Sequence, residues 1–196
     1  LFRENKLQAV FACQSRADII CENPDMLKLM KSVGLKMVFI GFESGSDRVL
    51  KTLRKGVKRE QNLEAAAICK RLKLRIWANY MFGVPTETPE EMMETADMIR
   101  KILPYVYSPA FFTPHPGSDL YKYCDEHKLI NIQKHSDFAR NPTSEKIKGV
   151  DYNAAREAIR VSQLKPLHLW LLRKINKFLK KKFSNQKSIR LSTANN

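Results

Sequence analysis

Four short apolar stretches begin near residues 9, 37, 74 and 106, and each is followed by a segment with helical spacing. The intervals of 28, 37 and 32 residues each have the size of one β–α unit. That rhythm leaves few folds open, because parallel strands need long crossovers and are buried on both faces by the helices those crossovers carry. Residues 37–40 (Met-Val-Phe-Ile) form an unbroken apolar run of the kind such a strand requires.

Punctuation between the strands supports the same reading. Asn23-Pro24 opens a helix that Gly34 closes, and Ser46 or Asp47 caps another that stops at Gly56. A further helix covers 58–71. Thr88-Pro89-Glu90-Glu91 is a capping box, continued by Met92, Thr95, Ala96, Ile99 and Leu103 at helical spacing. Strands are expected over 9–13, 37–40, 74–82 and 106–113, with a last helix over 119–127. Residues 131–150 lose periodicity and read as a linker loop. Residues 151–183 read as a basic amphipathic helical extension, with Pro166 as a break, and 184–196 as a disordered polar tail. The fold class is therefore α/β: about four βα units followed by C-terminal helices. The sheet is either open and doubly wound or a barrel completed by strands upstream of Leu1, since four units leave unpaired edges.

With 35 Lys and Arg against 20 Asp and Glu the net charge is +15, and residues 151–196 alone carry +9. The basic character thus belongs to the tail more than to the body. Between 164 and 183, leucines, isoleucines and phenylalanines share one helical face and lysines and arginines the rest. That face suits packing on the body, an anionic membrane surface or, third, RNA; no aromatic–basic interleaving of an RNA-binding module is present, so nucleic acid is disfavoured. The four cysteines show no CxxC spacing, which argues for reduced thiols in a cytoplasmic protein. No run of about 18 apolar residues occurs. The chain opens on Leu1 without a signal-peptide pattern, which predicts further sequence upstream.

In parallel βα folds chemistry gathers at the C-terminal strand ends. Four motifs fall there: Gln14-Ser15-Arg16, Gly41 to Ser46, Asn79 to Thr88, and Phe112 to Gly117. Glu43 follows a strongly apolar run. It either accepts hydrogen bonds from a ligand or pairs with Arg16 or Arg54 and merely closes the sheet top. Asn79, a polar residue inside an apolar strand, bonds either a neighbouring strand or a ligand hydroxyl. Gly83 permits close backbone approach. His115, between two prolines, reads as a ligand, a base or a loop residue, with the loop reading favoured. His127 and His135 have no metal-binding spacing with any cysteine, and neither a Walker nor a Rossmann phosphate loop is present.

The ordered series Ser15-Arg16-Ala17-Asp18, Gly41-Phe42-Glu43-Ser44-Gly45-Ser46 with Lys55-Gly56, Gly83-Val84-Pro85-Thr86-Glu87-Thr88, and Pro114-His115-Pro116-Gly117 resembles the later part of a radical SAM enzyme. It is most similar to the subgroup with an upstream cobalamin-binding domain. The likeness covers about residues 5–130 and implies the third to sixth units of a partial TIM-type (β/α) barrel. It implies that Arg16 and Lys55 lie near the carboxylate end of S-adenosylmethionine (SAM), that Glu43 and Ser44 meet its methionine or ribose part, and that Asn79 meets the ribose. Gly83 and Val84 would lie against adenine. The family's CxxxCxxC motif for a [4Fe–4S] cluster is absent from the chain. The resemblance therefore implies the SAM-binding part of a longer enzyme that generates a 5′-deoxyadenosyl radical, the cluster ligands lying upstream and this part alone being inactive. Its implied partners are cobalamin, an electron donor such as flavodoxin or ferredoxin, and a small-molecule or lipid-like substrate; the basic stretch 164–183, if it lies on a membrane, places the protein peripherally at the inner membrane surface. Cobalamin-dependent methylation or cyclisation would be its reaction. A methylthiotransferase is the related alternative, and a non-catalytic α/β binding module is the alternative of a different class.

Overall fold

A computed structural model describes residues 9–139 and 143–164. Four parallel strands, β1 (Phe11–Ser15), β2 (Leu35–Glu43), β3 (Arg75–Phe82) and β4 (Val106–Phe111), pair in sequence order. Between β1 and β2 lie α1 (Ala17–Glu22) and α2 (Pro24–Ser32); between β2 and β3, α3 (Asp47–Thr52) and α4 (Arg59–Arg71); and α5 (Pro89–Ile102) joins β3 to β4. After β4 come α6 (Asp119–Glu126), a 3₁₀ turn (His135–Phe138) and α7 (Tyr152–Ser162).

The alternation of each strand divides the sheet into two unequal faces. Val38, Ile40 and Phe42 of β2 and Ile76, Ala78, Tyr80 and Phe82 of β3 are buried under the helices, where α1 packs on α4 and α5 on α7. The opposite face is more open and carries Phe39 and Trp77, whose rings stand 4.9 Å apart. β2 is longer than its apolar run because Leu35 at one end is fully buried and Glu43 at the other is held by the turn described below.

The sequence signals fall mostly where expected. Ser46 caps α3 by accepting from the Val49 N–H, and Thr88 and Glu91 form the reciprocal capping box of α5. α1 was not legible: Arg16 stands at its N-cap, where its side chain accepts no capping bond from the helix N–H groups, and six residues carry no periodicity. Residues 131–150 are more than a linker. Ile130 bridges Ile147 antiparallel, and Ile147 is buried against Val84, Phe112 and Cys124, so apolar burial fixes a segment that lacks period. Of the expected basic helix, residues 152–162 form α7, and its Ser162 hydroxyl lies 2.8 Å from that of Tyr80 on β3. The rest, 165–183 with its proposed membrane contact, and the tail 184–196 lie outside the described residues. No described helix is long and apolar enough to cross a membrane.

Candidate functional site

At the C-terminal end of β2 the chain makes a turn that ordinary strands avoid. The Ser44 N–H donates to Phe42 O at 2.8 Å, which leaves Glu43 at φ 60°, in the left-handed region. A non-glycine residue there costs on the order of 1 kcal/mol or more and is held only by its surroundings. Asn62, buried on α4, supplies the hold: its amide donates to Phe42 O at 3.0 Å. The sheet register shifts at the same place, between Gly41 and Glu43.

The turn swings the Glu43 carboxylate over Gly41. Lys55 reaches it from the loop after α3, donating from Nζ to Glu43 Oε1 at 3.1 Å, with both side chains largely buried. A methyl group on Gly41 would stand 2.3 Å from Glu43 Oε1 and 3.1 Å from Lys55 Nζ, so this position must be glycine for the pair to lie where it does. Glu43 Oε2 is buried with no hydrogen-bond partner among the described residues. Leaving a carboxylate oxygen in that state costs about 1–3 kcal/mol, which a ligand donor would recover.

Gln14, Arg16, Gly41, Glu43, Lys55 and Asn79 surround one hollow of about 380 Å³ at the tops of β1, β2 and β3. Arg16 grips Asp18 through Nε and Nη2 at 3.0 and 2.7 Å and donates to Lys55 O at 2.9 Å. That pairing raises the guanidinium pKa and lowers that of Asp18. Glu43 thus pairs with neither Arg16 nor Arg54; Arg54 pairs with Asp119. Beside this hollow, at the ends of β3 and β4, lies a larger one of about 780 Å³ lined by Met81, Phe112, Thr113, His115, Tyr123 and Phe138. Met81 and Asn79 are two residues apart on one strand and share its open face.

Comparison with known proteins finds a family that part of this chain resembles. Residues 9–99 match the radical SAM superfamily model. That segment, a little under half of the chain, is similar to a radical SAM domain. An uncharacterized methyltransferase of Pyrococcus horikoshii is 31% identical over 108 residues, covering 55% of this chain and 24% of that protein. The anaerobic magnesium-protoporphyrin IX monomethyl ester cyclase of Rubrivivax gelatinosus is 28% identical over 131 residues, 66% of this chain and 24% of that protein. The radical SAM methyltransferase TsrM of Kitasatospora setae, solved with cobalamin and a [4Fe–4S] cluster, shares the fold with a TM-score of 0.53 at 16% identity, covering 77% of this chain and 30% of its own. The chain spans about a quarter of the length of the two curated relatives.

Within the matched segment the residues expected from sequence divide into two groups. Arg16, Glu43, Lys55 and Asn79 share the smaller hollow. Ser44, Gly83 and Val84 line neither hollow. Ser44 is fully buried, and its hydroxyl is engaged with Thr95 Oγ1 at 3.0 Å and the Ser46 N–H at 3.1 Å, because the turn at Glu43 directs it toward α5. Gly83 and Val84 donate their N–H groups to Glu87 Oε2, and Val150 and Tyr152 cover the Cα of Gly83. Gln14 and Gly41 belong to the site and fall within the strand-end motifs, which assign neither a role of its own; a polar side chain and a glycine flanking apolar runs are the only signals. The cysteines do not fit an iron–sulfur cluster. Cys69 and Cys124 are buried, and among the described residues no three ligating side chains converge on a metal site.

Proposed function

We propose that the chain is the SAM-binding part of a radical SAM enzyme. The observation that carries this reading is the Glu43–Lys55 pair folded over Gly41, with one buried carboxylate oxygen unpartnered. A zwitterionic amino acid joined to a ribose needs a cation, an anion and a polar amide in one cleft, and the smaller hollow presents all three. Lys55 takes the carboxylate, the free oxygen of Glu43 accepts from the ammonium or a ribose hydroxyl, and Asn79 meets the ribose. Arg16, engaged with Asp18 and Lys55 O, holds the loop that carries Lys55. The adenine belongs over Met81 and Phe112 in the neighbouring apolar hollow, because the Gly83–Val84 turn is covered.

Bound SAM supplies an adenosyl group for radical chemistry, and the side chains described here bind and orient it. Any cluster draws its ligands from elsewhere in the intact enzyme, since the cysteines present do not converge. The motif resemblance extends the proposal, for the intact protein, to cobalamin, a reductant and a small-molecule substrate. The basic stretch 164–183 extends it to contact with an anionic membrane surface, which flotation with anionic liposomes tests: no binding at low salt removes that contact.

SAM affinity of the intact protein, measured by calorimetry, tests the central reading. Glu43→Ala and Lys55→Met should each weaken binding about tenfold or more, the size of a lost charged hydrogen bond. Wild-type affinity in both variants would overturn it.

A further inference from the structure

Lys146 is fully buried, a costly place for an ammonium. Burial pushes its pKa down, and the charge of Asp137 opposes that shift. Among the described residues its Nζ has no ion-pair partner; it donates instead to Thr113 Oγ1 at 2.9 Å and to Ala139 O at 2.5 Å. These two acceptors lie on different parts of the chain. Thr113 is two residues past the end of β4, and Ala139 follows Phe138; both Thr113 and Phe138 line the larger hollow.

The base of this lysine is anchored as firmly as its tip. Its N–H and that of Ile147 both donate to the Tyr152 hydroxyl at 2.8 Å, and its carbonyl accepts from the Asn131 N–H at 2.9 Å. Tyr152 in turn packs edge-on against Phe111 of β4, ring centroids 4.9 Å apart. The hydrogen bonds described within 133–139 are otherwise local, from the Gln133 and Lys134 N–H groups to Asp137, from the Asp137 N–H to Lys134 O, and from the Ala139 N–H to Ser136 O. Among the described residues, Lys146 is therefore the hydrogen-bonded tie from that segment to the end of β4.

We propose that Lys146 is a positioning residue: it clips the segment bearing Phe138 to the end of β4 and so sets the wall of the apolar hollow that takes the adenine ring. This rests on the placement of adenine proposed above. A lysine suits the task because one extended side chain with three donors can bridge a hydroxyl and a carbonyl that no backbone bond brings together.

The test uses the intact protein with adenosine and L-methionine as separate probes, together with hydrogen exchange of amides 134–139. Lys146→Met keeps the length of the side chain and removes the donors. It should weaken adenosine binding about fivefold, leave L-methionine binding unchanged and speed exchange within 134–139. Thr113→Val, which removes one acceptor, should move both readouts the same way by less, and it decides the matter if Lys146→Met does not fold. Unchanged adenosine affinity with unchanged exchange overturns the proposal, as does equal loss of both ligands. Failure of the wild type to bind adenosine while binding L-methionine sinks the adenine placement instead. In that case faster exchange confined to 134–139 still upholds the clip, and unchanged exchange refutes it.

Discussion

Gly41 decides where the acidic group of the site stands. Its lack of a side chain leaves the space that Glu43 Oε1 and Lys55 Nζ approach. Gly41→Ala would meet only the ends of two flexible side chains, so they move and the backbone stays. The expected outcome is a loss of SAM affinity of about tenfold with a change in stability below about 1 kcal/mol. Calorimetric titration and thermal melting check it, and an unaltered affinity would show that the pair need not lie over the glycine. Glu43 itself shows what sequence can and cannot convey. An acid after an apolar run marks it as unusual, but its partner was not legible. Arg16 and Arg54 look equally available in the sequence, and only the turn at φ 60° brings Lys55 to it instead.

The N-terminus of α5 gathers two carboxylates with opposite fates. Arg48, hydrogen-bonded to Glu91 from α3, holds that carboxyl down at a pKa of about 2, with Thr88 N–H and Ser46 adding to the effect. Burial pushes Glu87 up to about 7, although the Gly83 and Val84 N–H groups oppose the shift, and its Oε1 has no described partner. The signs differ. Glu91 contributes stability that is complete above its ordinary value of 4.5 and is lost as pH falls toward 2. For Glu87 the stability is complete below 4.5 and is lost as pH rises through 7, by a few kcal/mol, because the unfolded chain ionises first. Denaturant unfolding across pH should therefore show a maximum on the acid side of neutral. Glu87→Gln should flatten the slope between 4.5 and 7, and Glu91→Gln should remove the decline toward 2; identical profiles in wild type and both variants would contradict this account. The helix was readable because Thr88, Pro89 and Glu91 act locally. The burial of Glu87 was not, since it depends on how the Gly83–Val84 turn folds back over it.

At the scale of the whole molecule, the strand order followed from the spacing of apolar stretches, whereas the two hollows did not. They arise where strand ends far apart in sequence meet, and of residues 112–138, which close the larger one, only the helix over 119–127 was signalled in the sequence. The four thiols give a global readout of this packing. All are pushed up by burial, Cys69 to about 12. In the native protein at pH 8 Cys69 should resist a thiol reagent, and its labelling should match the rate of global opening. Fast labelling under native conditions would mean that α4 does not sit on the sheet as described. The tie between Tyr80 and Ser162 has a consequence for how the polypeptide is made. A ribosome that has released β1 to β4 has produced a sheet whose outer surface is still wet at Tyr80 and Phe82. About fifty more residues must emerge, several seconds of synthesis, before α7 can cover it. During that interval the nascent chain is a natural client for a chaperone that grips apolar surface.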